Sequence, residues 1–381
     1  MAKKLFYIVA GEASGDRHAA ELLKELRKSY PDALFCGVGG RHLKAAGQEQ
    51  LFDMAQHAVV GLTDVLLHYW KFRGFFRKIL DDLKQLGPDA LILVDFPGFN
   101  LRLAEAVRRQ MPETKQIYYI SPQVWAWKAG RARRMQEILD LLLVIFPFEK
   151  DWFQKHVPDL KTVWVGHPVM DRWRVVKSAG ANPDGRRKVV LMPGSREREI
   201  KIHLPILLRT ALKLAQVVGD LKFLILATDA ETRGLMERII DSTSARGLNV
   251  EIQCGYQLTQ LSRSDLALVA SGTATLECAL AGIPMIVVYK THPLTYSVGR
   301  RLVKLDAISI VNLIAERKVV PEFLQDRADP EILAEAGRQL LSRPELAARM
   351  KEDLKLVVAK LGGPGANQRA VQEIEKIIPP T

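Results

Sequence analysis

Short, continuously apolar runs, each followed by a helical pattern, recur along this chain in two separate series. Leu5–Ala10, Leu34–Val38, Ala90–Val94, Gln116–Ile120 and Leu141–Phe146 make the first series. Val189–Met192, Leu221–Ala227, Val250–Gln253, Leu266–Ala270 and Pro284–Val288 make the second. A strand that is apolar along its whole length needs cover on both faces, and parallel neighbours need a crossover helix between them. The pattern therefore predicts α/β architecture: two Rossmann-like doubly wound domains facing each other across a cleft. The length of 381 residues agrees, being too great for one ordinary core.

The two series are separated at 175–188, where Ser178-Ala179-Gly180-Ala181-Asn182-Pro183-Asp184-Gly185 and a basic run read as a linker. The expected domains are 1–174 and 189–343. The helical, charged tail 344–381 is either a solvated helix pair or a return to brace the first domain.

Lys and Arg outnumber Asp and Glu 55 to 43, a formal charge of +12, which favours anionic partners such as nucleic acid, acidic lipid surfaces or phosphorylated ligands. Three cysteines without a CxxC pair suggest neither a disulfide framework nor a zinc site. The apolar run at Leu5–Ala10 is too short for a signal peptide, and no run of about 18 apolar residues suggests a bilayer span. A cytoplasmic protein is expected, one that lies on a membrane if it meets one.

In doubly wound sheets ligands bind beyond the carboxyl ends of the strands, so the loops there deserve scrutiny. Ser271-Gly272-Thr273-Ala274-Thr275-Leu276-Glu277 follows one strand and opens a helix. Its small residues and first helical N–H groups suit a diphosphate, with hydroxyls on Ser271, Thr273 and Thr275 and a ribose-binding carboxylate on Glu277. An ordinary capping box fits the same residues. Pro193-Gly194-Ser195-Arg196 follows the first strand of the second series, and the Arg196 fork suits phosphate oxygens; the plain alternative is a turn with Arg196 paired to Glu199. Two such loops at one sheet edge point to a nucleotide diphosphate. Neither is a P-loop, and Gly37-Val38-Gly39-Gly40 does not complete a dinucleotide fingerprint. No HExxH, Asp-x-Asp or clustered His suggests a metal.

In the first half, Gly11-Glu12-Ala13-Ser14-Gly15-Asp16 reads by itself as a capped turn. Val94-Asp95-Phe96-Pro97-Gly98-Phe99-Asn100 puts a carboxylate at a strand end between aromatic residues. Such a group suits a general base for a sugar hydroxyl, or else a helix cap. Ser121-Pro122-Gln123-Val124-Trp125-Ala126-Trp127 brings two tryptophans beyond another strand, for a sugar face, an acyl chain or simple packing. From Val65 to Ile79 aromatics and bases crowd together, including Leu66, Tyr69, Trp70, Phe72, Phe75 and Phe76. The stretch suits an amphipathic helix in a bilayer interface, and equally an ordinary core helix.

Taken together, Gly11–Asp16, Asp95–Asn100, Ser121–Trp127, Pro147-Phe148-Glu149, Gly166-His167-Pro168, Pro193–Glu199, Ser271–Glu277 and Asn312 through Pro321-Glu322-Phe323-Leu324 resemble the lipid-A-disaccharide synthase family of bacterial inverting glycosyltransferases. The likeness runs in order through nearly the whole chain; Leu43 stands where Met is expected. The resemblance implies the GT-B fold, with final helices returning to the first domain. It implies transfer from UDP-2,3-diacylglucosamine to 2,3-diacylglucosamine 1-phosphate, without metal or other cofactor. Asp95 would be the base. Gly194, Ser195, Arg196, Ser271, Gly272, Thr273, Thr275, Glu277 and Asn312 would serve the nucleotide. Glu12, Ser14, Asp16, Asn100, Ser121 and Trp125 would serve the acceptor. The aromatic stretch would meet the anionic cytoplasmic face of the inner membrane; nucleic acid is not expected as a partner, and a homodimer is one assembly left open. Rival readings are a UDP-N-acetylglucosamine 2-epimerase, another transferase of the same fold, and a non-catalytic basic protein that binds membrane or nucleic acid.

Overall fold

The structure, a computed structural model, describes residues 3–54, 69–125, 130–173, 185–255, 258–291, 296 and 307–380. The chain forms two compact units: Met1–Asp171 with Gly363–Thr381, and Arg172–Gly362.

The first unit holds seven strands: β1 (Leu5–Ala10), β2 (Leu34–Gly39), β3 (Glu49–Asp53), β4 (Ala90–Val94), β5 (Lys115–Tyr119), β6 (Leu141–Val144) and β7 (Thr162–Trp164). All pairings are parallel, in the order β3-β2-β1-β4-β5-β6-β7. Both faces of β1 and β4 are buried, which is why these strands show no polar alternation. The helix Ala13–Ser29 turns Ala19, Leu22, Leu23 and Leu26 inward at helical spacing.

The second unit repeats the plan with β8 (Arg187–Met192), β9 (Leu221–Ala227), β10 (Val250–Cys254), β11 (Leu266–Ala270), β12 (Met285–Tyr289) and β13 (Glu322–Leu324). Their order is β10-β9-β8-β11-β12-β13, again all parallel. The long helix Glu197–Val218 buries Ile200, Leu204, Leu207, Leu208, Ala211 and Leu214 against this sheet.

Each sheet thus has one place where the strand order reverses: between β1 and β4 in the first unit, and between β8 and β11 in the second. At such a point the two adjoining loops diverge and leave room for a ligand.

The tail divides differently from the expectation of a return beginning at 344. The helix Pro344–Ala359 stays with the second unit, burying Met350, Leu354 and Val357 and pairing Asp353 with Arg317 at 2.6 Å. Only the segment from Gly363 joins the first unit. There Asn367 accepts from the Tyr119 hydroxyl at 2.9 Å, and the Tyr30 hydroxyl donates to the Ile378 carbonyl at 2.5 Å. Asp171 receives the N–H of Gly365 and both the main-chain and side-chain N–H groups of Asn367. Of the expected linker 175–188, residues 175–184 lie outside the described residues.

Candidate functional site

In the first unit, Asp95 is the residue immediately past β4, beside the reversal point. It is half-buried, and its backbone is left-handed (φ 51°), as is that of Phe96 (φ 51°). Such angles are uncommon outside glycine and cost of order 1–3 kcal/mol each, so they persist only where the surroundings impose them. Here the surroundings are specific. The Asp95 carbonyl accepts from the Tyr118 hydroxyl at 2.5 Å and from Asn100 Nδ2 at 2.7 Å, while the Asp95 N–H donates to the Tyr119 carbonyl at 3.2 Å. Burial pushes the Tyr118 pKa well above its ordinary value, so the phenol stays a donor. The β1 loop makes room on the other side: a Cβ on Gly11 would collide with the Phe96 ring, and one on Gly15 would stand 3.8 Å from Asp95 Cβ.

Several residues expected at the acceptor prove to serve the protein's own backbone. Asp16 is 1% exposed, and its carboxylate accepts from the N–H groups of Gly40, His42 and Leu43 at 2.7, 2.9 and 3.1 Å. It caps the short helix Arg41–Ala45. Asn100 is fully buried and spends its amide on Val94 and Asp95. Ser121 is buried, with its hydroxyl on the Pro122 carbonyl. Glu12 and Trp125 are half-buried in the loops past β1 and β5, and Ser14 is exposed in the first turn of the helix Ala13–Ser29. Trp127 lies outside the described residues.

The second unit brings its two candidate loops to neighbouring strands, β8 and β11, on either side of the reversal point. Gly194 has φ 115°, and a Cβ there would stand 2.5 Å from Glu199 Oε2. That carboxylate accepts from the N–H groups of Ser195 and Arg196 at 3.1 and 3.4 Å, and its other oxygen meets Arg196 at 3.0 Å. Arg196 is thus paired with Glu199. An exposed pair of this kind is worth about 1 kcal/mol or less, so an incoming anion displaces Glu199 at small cost.

Past β11, Thr273 is exposed, whereas Thr275 is fully buried with its hydroxyl on the Gly272 carbonyl at 2.7 Å. Thr275 therefore shapes the turn rather than offering a hydroxyl. Ser271 donates to the Ile308 carbonyl at 3.2 Å. Glu277 is 5% exposed, with Arg172 at 3.9 Å. The helix Ala274–Leu280 has seven residues, too few for much macrodipole, so any anion here relies on the turn's own N–H groups.

Asn312 does not belong among the ligand-binding residues. It is 1% exposed, donates to the Val320 carbonyl and Glu322 at 2.9 and 2.7 Å, and accepts from the N–H groups of Val319 and Val320 at 2.8 and 3.0 Å. Every hydrogen-bonding position on its side chain is spoken for.

Two residues to which the sequence reading gave no role matter here. His203 Nε2 accepts from the Lys290 N–H at 3.0 Å, which leaves the ring proton on Nδ1 for the Pro193 carbonyl at 3.1 Å. Burial holds its pKa below the ordinary value. The ring ties the end of β12 to the loop past β8. Glu149 is the other: 1% exposed, with its pKa pushed up to about 7 by burial.

The aromatic stretch also departs from expectation. Phe76 packs onto the first unit's core and lies edge-on to Phe99 at 5.7 Å, and Phe75 stacks on Phe52 at 4.8 Å. These two rings take part in the protein's own packing. Leu66, and the side chains of Tyr69, Trp70 and Phe72, lie outside the described residues. Among the described residues no helix is long and apolar enough to cross a membrane, and no three His, Cys, Asp or Glu side chains are grouped to hold a metal.

Comparison with known proteins bears on both units at once. A family model described as lipid-A-disaccharide synthetase matches residues 6–377. The lipid-A-disaccharide synthase of Geobacter sulfurreducens is 39% identical over 370 residues, covering 95% of this chain and 94% of that protein. Lipid-A-disaccharide synthase 1 of Legionella pneumophila (strain Lens) is 40% identical over 324 residues, 84% of this chain and 83% of its own. Among solved structures, the UDP-GlcNAc 2-epimerase of Neisseria meningitidis bound to UDP-GlcNAc superposes with a TM-score of 0.65 at 15% identity, covering 98% of this chain and 100% of that one. At that identity the likeness speaks for fold alone.

Proposed function

The chain belongs to the lipid-A-disaccharide synthetase family and is a glycosyltransferase of lipid A biosynthesis; on that premise we propose that Asp95 is its general base and that the turns past β8 and β11 hold a nucleotide diphosphate. The reaction joins UDP-2,3-diacylglucosamine to 2,3-diacylglucosamine 1-phosphate with inversion, giving the β-1,6-linked disaccharide 1-phosphate and UDP. As the acceptor 6-hydroxyl oxygen bonds to the anomeric carbon, the bond from that carbon to the diphosphate breaks. The hydroxyl proton passes to Asp95, since an alcohol is a poor nucleophile at neutral pH without a base.

Charge gathers on the departing diphosphate. In this reading Arg196 and the main-chain N–H groups of Gly194–Arg196, Gly272 and Thr273 meet it, with no call for a metal ion. Glu277 is the ribose contact. Glu12, Ser14 and Trp125 remain the acceptor contacts, while Asp16, Asn100, Ser121, Thr275 and Asn312 act only by holding the loops.

The observation that supports this reading is that Asp95 and both turns sit at the strand-order reversals, Asp95 held by Tyr118 of β5, the turn past β8 by His203 of the helix that follows it, and the turn past β11 by the Ser271 N–H on the Val288 carbonyl of β12. We further infer peripheral attachment to the cytoplasmic face of the inner membrane. The formal charge of +12, the exposed Arg73, Arg77 and Lys78, and the acylated substrates support it.

Incubation with both diacylglucosamine substrates, followed by mass spectrometry, tests the proposal. The disaccharide 1-phosphate is expected from the wild type, and none from Asp95→Ala, with UDP affinity of the variant unchanged. Wild-type turnover by that variant removes Asp95 from the mechanism.

A further inference from the structure

Glu149 and Glu199 occupy the same place in their respective helices. Each is the third residue of a helix that follows a sheet strand, Pro147–His156 after β6 and Glu197–Val218 after β8. Each turns Oε2 back onto two main-chain N–H groups of the preceding loop: Ile145 and Phe146 at 3.2 and 3.0 Å for Glu149, Ser195 and Arg196 at 3.1 and 3.4 Å for Glu199. One oxygen is enough for that capping task. In both cases Oε1 goes elsewhere, to a side chain assigned to a substrate. Glu199 Oε1 meets the Arg196 guanidinium at 3.0 Å, and Glu149 Oε1 accepts from the Trp125 indole Nε1 at 3.0 Å.

The difference lies in burial. Glu199 is partly exposed, whereas Glu149 is 1% exposed. Capping a helix at the surface needs no buried carboxylate, and a buried one is costly unless its oxygens are fully used. Glu149 is fully used, by three N–H donors from two loops. Around it the rings form a continuous row: Trp125 edge-on to Phe148 at 4.9 Å, Phe148 stacked on Phe146 at 5.6 Å, and Phe146 against His167 at 5.4 Å. This row crosses the carboxyl ends of β5, β6 and β7, on the same edge of the sheet as Asp95.

We propose that Glu149 is a positioning residue of the acceptor site, pinning the Trp125 indole by its N–H so that the ring offers a rigid surface to the apolar face of the acceptor sugar. The proposal rests on Trp125 being an acceptor contact. An aromatic surface fixed before binding loses little entropy when the sugar arrives.

Glu149→Gln separates the two tasks. Its amide oxygen keeps the cap on Ile145 and Phe146, while its NH2 group faces the indole N–H, donor against donor, and releases Trp125. Steady-state kinetics with each substrate varied in turn should show an acceptor KM raised about tenfold, with kcat and donor KM within about twofold of wild type. Trp125→Ala should raise acceptor KM at least as far, and the double variant should be no worse than Trp125→Ala alone, because one residue works through the other. Additive losses, or an unchanged acceptor KM in Glu149→Gln beside a raised one in Trp125→Ala, overturn the positioning role and leave Glu149 a helix cap. An unchanged acceptor KM in Trp125→Ala instead overturns the acceptor assignment of the indole itself. If Glu149→Gln does not fold, Trp125→Phe keeps an aromatic ring, though a smaller one, with no N–H for Glu149 to hold, and an unaltered acceptor KM there is equally decisive against the proposal.

Discussion

The Tyr118 hydroxyl donates to the main-chain oxygen of Asp95 at 2.5 Å, so a phenol buried in one strand fixes the backbone of a carboxylate at the end of its neighbour. The bond does not touch the Asp95 carboxylate. It sets where that carboxylate points, by holding a left-handed residue that would otherwise relax.

Tyr118→Phe should therefore lower kcat by roughly tenfold while UDP affinity is unaffected, since the lost bond is worth about 1 kcal/mol and the base is freed to move. Turnover assays paired with calorimetric titration of UDP check this. A loss of UDP affinity with intact kcat would contradict it.

The strained angle at Asp95 separates stability from activity. Both Asp95→Gly and Asp95→Ala should be inactive, but only glycine adopts φ 51° without penalty. Asp95→Gly should unfold at a higher temperature than Asp95→Ala, by the equivalent of about 1 kcal/mol. Thermal melts of the two variants decide the matter.

Arg196→Ala should raise the UDP dissociation constant by about tenfold or more, as a charge-assisted contact to phosphate is lost. Glu199→Gln should do less harm, for Arg196 then has no carboxylate to leave. Isothermal titration with UDP, compared with uridine, shows whether the loss belongs to the diphosphate.

His203 predicts a pH dependence of the second unit. Its folded pKa lies below the ordinary 6.5, so the folded state binds fewer protons than the unfolded one in the interval between the two values. The stability due to the neutral ring is complete above about pH 6.5 and is lost as pH falls through the folded value. A proton on Nε2 would face the Lys290 N–H, donor to donor, and detach β12 from the Pro193 loop. Denaturant unfolding from pH 7.5 down to 5.5 should show this slope in the wild type and a weaker one in His203→Gln.

The sheet cores were legible because their strands are apolar on both faces, and every one of the ten apolar runs coincides with a strand to within two residues. The three strands not read from the sequence, β3, β7 and β13, all lie at sheet edges. Edge strands pair on one side only, and Glu-Gln-Leu-Phe-Asp, Thr-Val-Trp and Glu-Phe-Leu carry no apolar run long enough to notice.

Asp95 and Arg196 were readable as candidates because they follow strong strands. Asp16, Asn100 and Asn312 stand out equally as polar residues near such loops. Whether a polar side chain feeds a ligand or the protein's own N–H and C=O groups depends on partners distant in sequence, such as the Val319 and Val320 N–H groups for Asn312. Tyr118 and His203 failed to stand out for the converse reason: each lies within an apolar run and looks like core. Glu149 left one local signal, a Glu two residues after the Pro that opens a helix, which marks a cap and says nothing of the indole at its other oxygen.

The passage of residues 363–381 back to the first unit has a bearing on how the protein is made. Synthesis proceeds from the amino end, and domains usually fold as they emerge from the ribosome. Tyr30 and Tyr119 are translated early, yet their hydroxyls wait for Ile378 and Asn367. The second unit is contiguous and has all its residues in hand sooner, so the half that begins first is the half that finishes last.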